Sequence, residues 1–239
     1  YSHVNKVYCL LAATVFCALP LCSTEAAAEN ILKYDGTTNI HGNAKTWAAK
    51  NEYDGIDIRV TGVDGGYYTD TTEALVLNNQ TLNVKGKGKF VSIINTAQNK
   101  QIDNNGGIYA KGGSTVNFTD VDSIYIAAIA GKEGGNDSTV ISAKDPGRDL
   151  KGYTNIVNIS GTTVQLIGSI DVMHSLGSVF FNRNARHTVN AALSGSDSFW
   201  YGSAIGETDE RTTVNLSLAD GATWIFNAGK STLNAGGII

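Results

Sequence analysis

Paired carboxylates are the groups that cleavage of a polysaccharide requires, and two places in the sequence bring such groups close together. Asp120 and Asp122 are two residues apart, and Asp54 and Asp57 are three residues apart. A glycoside hydrolase or a lyase would use such a pair as general acid and general base. Both pairs lie among turn residues, where Asp is common because its side chain bonds the nearby backbone. We therefore interpret them as structural.

Other reactive side chains lack the neighbours that catalysis or metal binding needs. The segment 194–198 is interpreted as a turn, because a serine nucleophile also needs a base and a strained backbone. The segment 134–137 matches one fragment of a glycine-aspartate calcium repeat, and such sites need consecutive copies. The histidines after residue 28 are His41, His174 and His187, and none stands in a Gly-His-Gly setting. We therefore predict no catalytic residue, no metal site and no cofactor.

Phe199, Trp200 and Tyr201 form the one local feature that indicates a binding surface. Neighbouring residues of a strand point to opposite faces, so at least one of the three rings must face outward. An exposed ring can stack on a sugar or pack against a protein partner. The structural alternative places two rings in the core and the third under a loop.

A short phrase with a central asparagine recurs along the chain and indicates how these side chains are positioned. Its copies are centred on Asn83, Asn117, Asn158, Asn190, Asn215 and, in part, Asn234. Successive copies are 19 to 41 residues apart, a range typical of stacked solenoid repeats. A polar turn and a second apolar strand follow each of the first five copies. Each unit therefore has the order strand, tight turn, strand, variable loop.

The composition and the strand pattern predict an all-β fold. The chain has 27 Gly and only 2 Pro, and no stretch shows apolar residues at helical spacing over three turns. Alternation, as in Val214–Leu218, gives each strand one apolar face. A single coil cannot bury that face, but coils stacked along an axis can. We predict a parallel β-helix over residues 74–239.

The repeated asparagines are explicable without chemistry. If they point inward at a bend, they can hydrogen-bond the residues above and below as a ladder. If they point outward, they are solvated positions, and the sequence leaves both orientations open.

Residues 29–73 fit the repeat poorly and hold several aromatic residues among glycines and charges. The ends of a solenoid need atypical elements that cover their open edges. We therefore predict an N-terminal cap over residues 29–73.

The N-terminal residues predict export. Lys6 precedes an uncharged run, Pro20 ends that run, and Ala26-Ala27-Ala28 offers small residues for cleavage. These are the parts of a secretion signal, so we predict a signal peptide over residues 1–28. An uncleaved anchor would need about 20 consecutive apolar residues. That alternative and a lipid anchor on Cys22 stay open.

Cysteine usage and charge restrict the partners. Cys9, Cys17 and Cys22 all lie within residues 1–28, so the mature chain would have no disulfide, thiolate metal site or cysteine nucleophile. The formal net charge is −4, and removal of Lys6 and Glu25 with the leader leaves it unchanged. An acidic chain argues against nucleic acid or an anionic membrane as a partner.

Three adjacent segments near the end of the sequence form a series. They are the strand Val214–Leu218, the turn and strand Asp220-Gly221-Ala222-Thr223-Trp224, and the segment 231–239. This series resembles the passenger region of bacterial autotransporters. The resemblance is specific over these segments and only general over the rest of the chain. The resemblance implies a right-handed parallel β-helix on or released from the outer membrane of a diderm bacterium. It also implies a C-terminal translocator barrel, so we expect this chain to be part of a longer protein.

We expect a non-enzymatic function at the cell surface, at the outer membrane or outside the cell. The β-helix would act as a stalk for adhesion or autoaggregation, with a host surface, extracellular matrix, a glycan or neighbouring cells as partner. The alternative is a β-helical polysaccharide-degrading enzyme, with its active site beyond this chain or in the loops around Asp120 and Asp145. A disulfide-free chain suits export through a narrow pore, since it crosses unfolded.

Overall fold

The computed structural model describes residues 30–37, 46–61, 63–64, 72–96, 98–99, 105–129, 138–145, 151–173, 184–206 and 211–226. None of these residues lies in a helix, which confirms the all-β prediction. The described strands are β1 (Ile31–Thr37), β2 (Thr46–Trp47), β3 (Gly55–Thr61), β4 (Val63–Asp64), β5 (Thr72–Asn78), β6 (Thr81–Lys85), β7 (Phe90–Asn95), β8 (Gln98–Asn99), β9 (Asn105–Lys111), β10 (Thr115–Ala128), β11 (Thr139–Ala143), β12 (Thr154–Ile167), β13 (Ser169–Asp171), β14 (Arg186–Ser194), β15 (Phe199–Gly202), β16 (Ala204–Ile205), β17 (Thr212–Ala219) and β18 (Thr223–Phe226).

These strands form two large sheets and one small pair. The first sheet has ten strands, with the path β1-β3-β7-β10-β12-β14-β17 and with β6, β15 and β18 alongside it. The second has six strands in the order β16-β13-β11-β9-β5-β2, and β4 pairs with β8. All pairings among these strands are parallel. Parallel pairing of segments that are distant in sequence is what stacked coils produce.

The strands define three faces that repeat along the stack. The asparagine face contains β6, the first halves of β10 and β12, β14 and β17. The tryptophan face contains β1, β3, β7, the second halves of β10 and β12, β15 and β18. The third face is the six-stranded sheet. Each coil visits the third face, the asparagine face and the tryptophan face in turn, an arrangement consistent with the predicted parallel β-helix.

A bulge forms the corner between the asparagine face and the tryptophan face. The register of β10 against β12 shifts between Phe118 and Val121, and Asp120 has a φ of 57°. Asp tolerates this left-handed conformation better than most residues with a β-carbon. A β-carbon on Gly161 in β12 would lie 2.8 Å from the carbonyl oxygen of Val121. The glycine therefore allows the two backbones to approach at the corner.

One apolar core runs inside the stack. Along β10, Val116 and Phe118 are fully buried, whereas Thr115 and Asn117 are only half-buried. The same alternation recurs in β12 and β14, and the buried side chains join one cluster from Leu32 to Val214. Each buried Val, Leu, Ile or Phe stabilises the fold by about 1.5–3 kcal/mol relative to its exposed state. The alternation therefore fixes which side chains are left on the outside.

The segment predicted as a cap contributes strands to the ten-stranded sheet. Strand β1 pairs only with β3 along the path of that sheet, and β3 pairs with β7. Some of residues 29–73 therefore continue the same sheet as the repeats. Their capping role stays a prediction.

Candidate functional site

The repeated asparagines form the most regular feature of the described surface. Asn83, Asn117, Asn158 and Asn190 are half-buried and Asn215 is exposed, while their apolar neighbours point into the core. The asparagines therefore face outward. The register places them opposite one another in consecutive strands, with Asn117 between Asn83 and Asn158.

These outward asparagines hydrogen-bond one another. Asn117 Nδ2 donates to Asn83 Oδ1 at 2.9 Å, and Asn158 Nδ2 donates to Asn117 Oδ1 at 2.8 Å. Asn190 donates to Asn158, and Asn215 to Asn190, both at 2.8 Å. We call this series the asparagine ladder. It combines parts of the two interpretations that the sequence left open, because the ladder forms on the outer face.

Two further rows flank the ladder, two residues before and two residues after each asparagine. The preceding row holds Thr81, Thr115, Ile156, Thr188 and Thr213. The following row holds Lys85, Thr119, Ser160, Ala192 and Ser217. Lys85 is the one charged side chain in the three rows. These flanking rows were not predicted, although their period-two spacing from the asparagines is visible in the sequence.

An open cavity of about 450 Å³ lies over the ladder and the row that follows it. Its lining residues are Thr119, Asn158, Ile159, Ser160, Asn190, Ala191, Ala192, Asn215, Leu216 and Ser217. None of them is charged. The small side chains of Ser160, Ala192 and Ser217 leave the space, and Ser160 Oγ accepts a hydrogen bond from the backbone N–H of Asp120 at 3.0 Å. The corner bulge therefore positions one wall of the cavity.

The three consecutive aromatic residues divide between core and surface. Trp200 is 1% exposed, whereas Phe199 and Tyr201 are half-buried on the outside of the tryptophan face. This corrects the expectation that Trp200 belongs to a binding surface, because its register partner Leu166 points into the core. It also differs from the alternative with two rings inside: strand alternation allows either the middle ring or the two outer rings in the core, and the register with Leu166 places the middle ring there.

Trp200 takes part in an internal stack. Its ring lies parallel to that of Trp224, with centroids 5.0 Å apart and an interplanar angle of 4°. The indole N–H of Trp200 donates to the Gly168 carbonyl at 2.9 Å, and that of Trp224 donates to the Gly202 carbonyl at 3.0 Å. Each indole N–H thus finds a carbonyl acceptor in the preceding coil.

A buried polar cluster ties the start of β12 to neighbouring coils. The Oδ1 atom of Asn155 accepts hydrogen bonds from the backbone N–H groups of Gly113 and Ser114, at 3.0 and 2.9 Å. Its Nδ2 donates to Asp145 Oδ2 at 3.0 Å and lies 3.2 Å from His187 Nδ1. Asn155 and His187 are both fully buried. Asp145, named above with the enzymatic alternative, here holds a turn together with Asn155.

The third face carries charged and phenolic groups in one region. The Lys144 ammonium pairs with the Asp171 carboxylate, and Asp171 Oδ1 accepts the backbone N–H of Met173 at 2.9 Å. Burial raises the pKa of the Tyr109 phenol, and the negative charges of Glu73, Asp145 and Asp171 raise it further. The Tyr109 phenol therefore stays protonated at alkaline pH values at which an exposed tyrosine ionises.

The serines of the segment 194–198 serve the local backbone. Ser198 is fully buried, accepts the Val164 N–H at 3.0 Å and donates to the Ser194 carbonyl at 2.7 Å. Ser194 donates to the Asp220 carboxylate at 2.6 Å. These contacts hold the turn between β14 and β15 against the neighbouring coils.

Of the paired aspartates, Asp54 directly precedes β3 and Asp57 lies within it, whereas Asp120 and Asp122 lie within β10. Asp54 accepts the Asn30 N–H at 3.2 Å and pairs with Lys89 at 3.3 Å. The Asn30 hydrogen bond and the Lys89 ammonium lower the pKa of this carboxyl. Asp57 lies 3.9 Å from Arg59, and Asp120 occupies the corner bulge described above.

Several predictions lie outside the described residues. They are the signal peptide over residues 1–28 with its cysteines, His41, His174, the segment 134–137 and the partial phrase at Asn234. Within the described ranges there is no group of three or more His, Cys, Asp or Glu side chains placed to hold a metal ion. The same ranges contain no helix that is long and apolar enough to cross a membrane.

The described residues form an all-β fold with long parallel sheets, which is consistent with a β-solenoid. The asparagine ladder lies on the outside of one of these sheets. Comparison with family models, with curated proteins and with solved structures found no match to the chain.

Proposed function

We propose that the protein is a surface-displayed, right-handed β-helical passenger of the autotransporter type, which contributes to adhesion or autoaggregation without catalysing a reaction. The resemblance of the segments from Val214 to Trp224 to such passengers supports the proposal, as do the parallel sheets. In this proposal the signal peptide over residues 1–28 is removed and a translocator barrel lies beyond this chain. The partner is a host surface, extracellular matrix, a glycan or a neighbouring cell.

The observation that carries the proposal is the asparagine face. Its three outward rows extend over five consecutive strands, and Lys85 is their one charged side chain. An open cavity crosses the rungs from Asn158 to Asn215. A long, regular and accessible surface suits contacts with an extended partner, since many weak contacts along it add up.

The proposal is tested by attachment of cells that display the full-length protein. A deletion strain should lose attachment or aggregation. The double variant Ala192→Glu with Ser217→Glu should lose it to a similar extent, because both positions are exposed and line the cavity. The matched control is Ser196→Glu with Thr223→Glu, which adds the same charge at exposed positions outside the cavity. Equal attachment of the wild type and the deletion strain to host cells, matrix and biofilm contradicts the proposal.

A further inference from the structure

The asparagine ladder leaves a regular set of hydrogen-bonding groups on the surface. A side-chain amide has two N–H donors and two acceptor lone pairs. In the ladder, Asn158 uses one donor toward Asn117 and one lone pair toward Asn190. Asn117 and Asn190 likewise each donate one ladder bond and accept one. Each of these rungs therefore keeps one donor and one acceptor available to a partner on the outer face.

The spacing of these groups follows from the strand spacing. Neighbouring strands in a sheet lie about 4.8 Å apart, so a donor and acceptor pair recurs at about that interval along the stack. A partner that matches the row must be extended and must carry groups that both donate and accept. Hydroxyl groups do both.

The absence of charged residues from the cavity lining further restricts the chemical class of the partner. None of the lining residues is charged. The accessible surface of the cavity is mainly apolar, and amide and hydroxyl groups supply the polar remainder. An acidic polysaccharide or a nucleic acid would lose hydration there without gaining a counter-charge. An uncharged, hydroxyl-rich chain would exchange its water for amide and hydroxyl contacts.

We propose that the cavity along Asn158, Asn190 and Asn215 binds an uncharged polysaccharide chain that runs across the strands, parallel to the stacking axis. The inference rests on the proposed adhesive function and names its ligand class. Ser160 and Ser217 add hydroxyl contacts beside the ladder, and Ala192 keeps the floor of the cavity open between them. Binding is weak at each rung and accumulates over several rungs.

The test is affinity electrophoresis of the full chain in gels that contain a single polysaccharide. The uncharged probes are mannan, dextran and xyloglucan, and the acidic probes are polygalacturonate and heparan sulfate. We expect retardation by at least one uncharged probe, with the same strength at low and high salt. Ala192→Phe should weaken this binding by about tenfold or more, because the ring fills the cavity from an exposed position. Thr223→Phe, exposed on the tryptophan face, should leave it unchanged.

Three outcomes overturn the inference: binding to acidic probes alone, binding that Ala192→Phe leaves intact, or no binding to any probe. Self-association of the chain that Ala192→Phe abolishes, without polysaccharide binding, assigns the face to a second copy and also overturns it. If cells that display Ala192→Phe still attach, the polysaccharide ligand is contradicted but the adhesive function is not. If the protein binds an uncharged probe but cells that display it do not attach, only the adhesive function is contradicted.

Discussion

Asn158 donates a 2.8 Å side-chain hydrogen bond to Asn117, which lies 41 residues earlier in the sequence and directly beside it in the sheet. Asn158 also accepts a bond from Asn190. The pair shows that one residue type, repeated at irregular intervals, forms a continuous structure once the coils are in register.

Asn158→Ala should lower the free energy of unfolding by about 1–2 kcal/mol, since it removes two half-buried hydrogen bonds. Asn215→Ala is the matched control, because Asn215 is exposed and makes one ladder bond, to Asn190. We expect about half the loss in the control, because it removes one ladder bond and not two. Chemical denaturation of both variants measures the difference, and equal losses would show that the ladder bonds do not set the loss of stability.

Trp200→Phe should destabilise the fold by about 1–3 kcal/mol, because it leaves space in the core and removes the donor to the Gly168 carbonyl. Trp224→Phe should cost less, since Trp224 is only half-buried. Thermal unfolding followed by circular dichroism gives the order of the two variants. A larger loss of stability for Trp224→Phe than for Trp200→Phe would contradict this order and would show that Trp224 contributes more to the stack.

Gly202→Ala should be among the most damaging single changes, with a loss of about 2–4 kcal/mol. A β-carbon there would lie 2.1 Å from the Gly168 carbonyl oxygen, and backbone cannot move aside as a flexible side chain can. Gly88→Ala is the control, because φ is +77° but no atom lies within 4 Å of the added carbon. It should cost only backbone strain, about 1–2 kcal/mol. Soluble yield and melting temperature of both variants decide the comparison.

Tyr109 should limit stability at alkaline pH. Its folded pKa is raised, so its contribution is complete below the unfolded pKa of about 10 and is lost as the pH rises toward the folded pKa. Tyr109→Phe should remove part of this alkaline decline. Stability measured between about pH 8 and pH 11 tests this. An unchanged alkaline slope in Tyr109→Phe would mean that the phenol is not held neutral by its surroundings.

Strand alternation made much of the fold predictable from sequence. The phrase around Asn117 places Val116 and Phe118 on one side, and burial of those two residues confirms the strand. The outward direction of the ladder was not decided, because amides can bond across rungs on either side of a sheet. For Phe199, Trp200 and Tyr201, alternation gave two arrangements, and the register with Leu166 selected one.

The buried polar cluster was only partly predictable. Asn155 and His187 each lie three residues before an asparagine of the recurring phrase, and the register pairs them in neighbouring strands. The repeat and strand alternation therefore place both residues on the inner side of the sheet. The contact between Asn155 and Asp145 could not be predicted, because Asp145 lies in a loop outside the recurring phrase.

The hydrogen bonds of the asparagine ladder all run in one direction, with each amide donating toward the earlier coil. Like the peptide groups of an α-helix, the aligned amides sum to a dipole, positive toward Asn83 and negative toward Asn215. A coil that joins the stack beyond Asn215 meets a carbonyl that requires a donor at one position. A slip of one residue would present an apolar neighbour instead. The ladder bonds therefore favour one register of each coil against the coil before it.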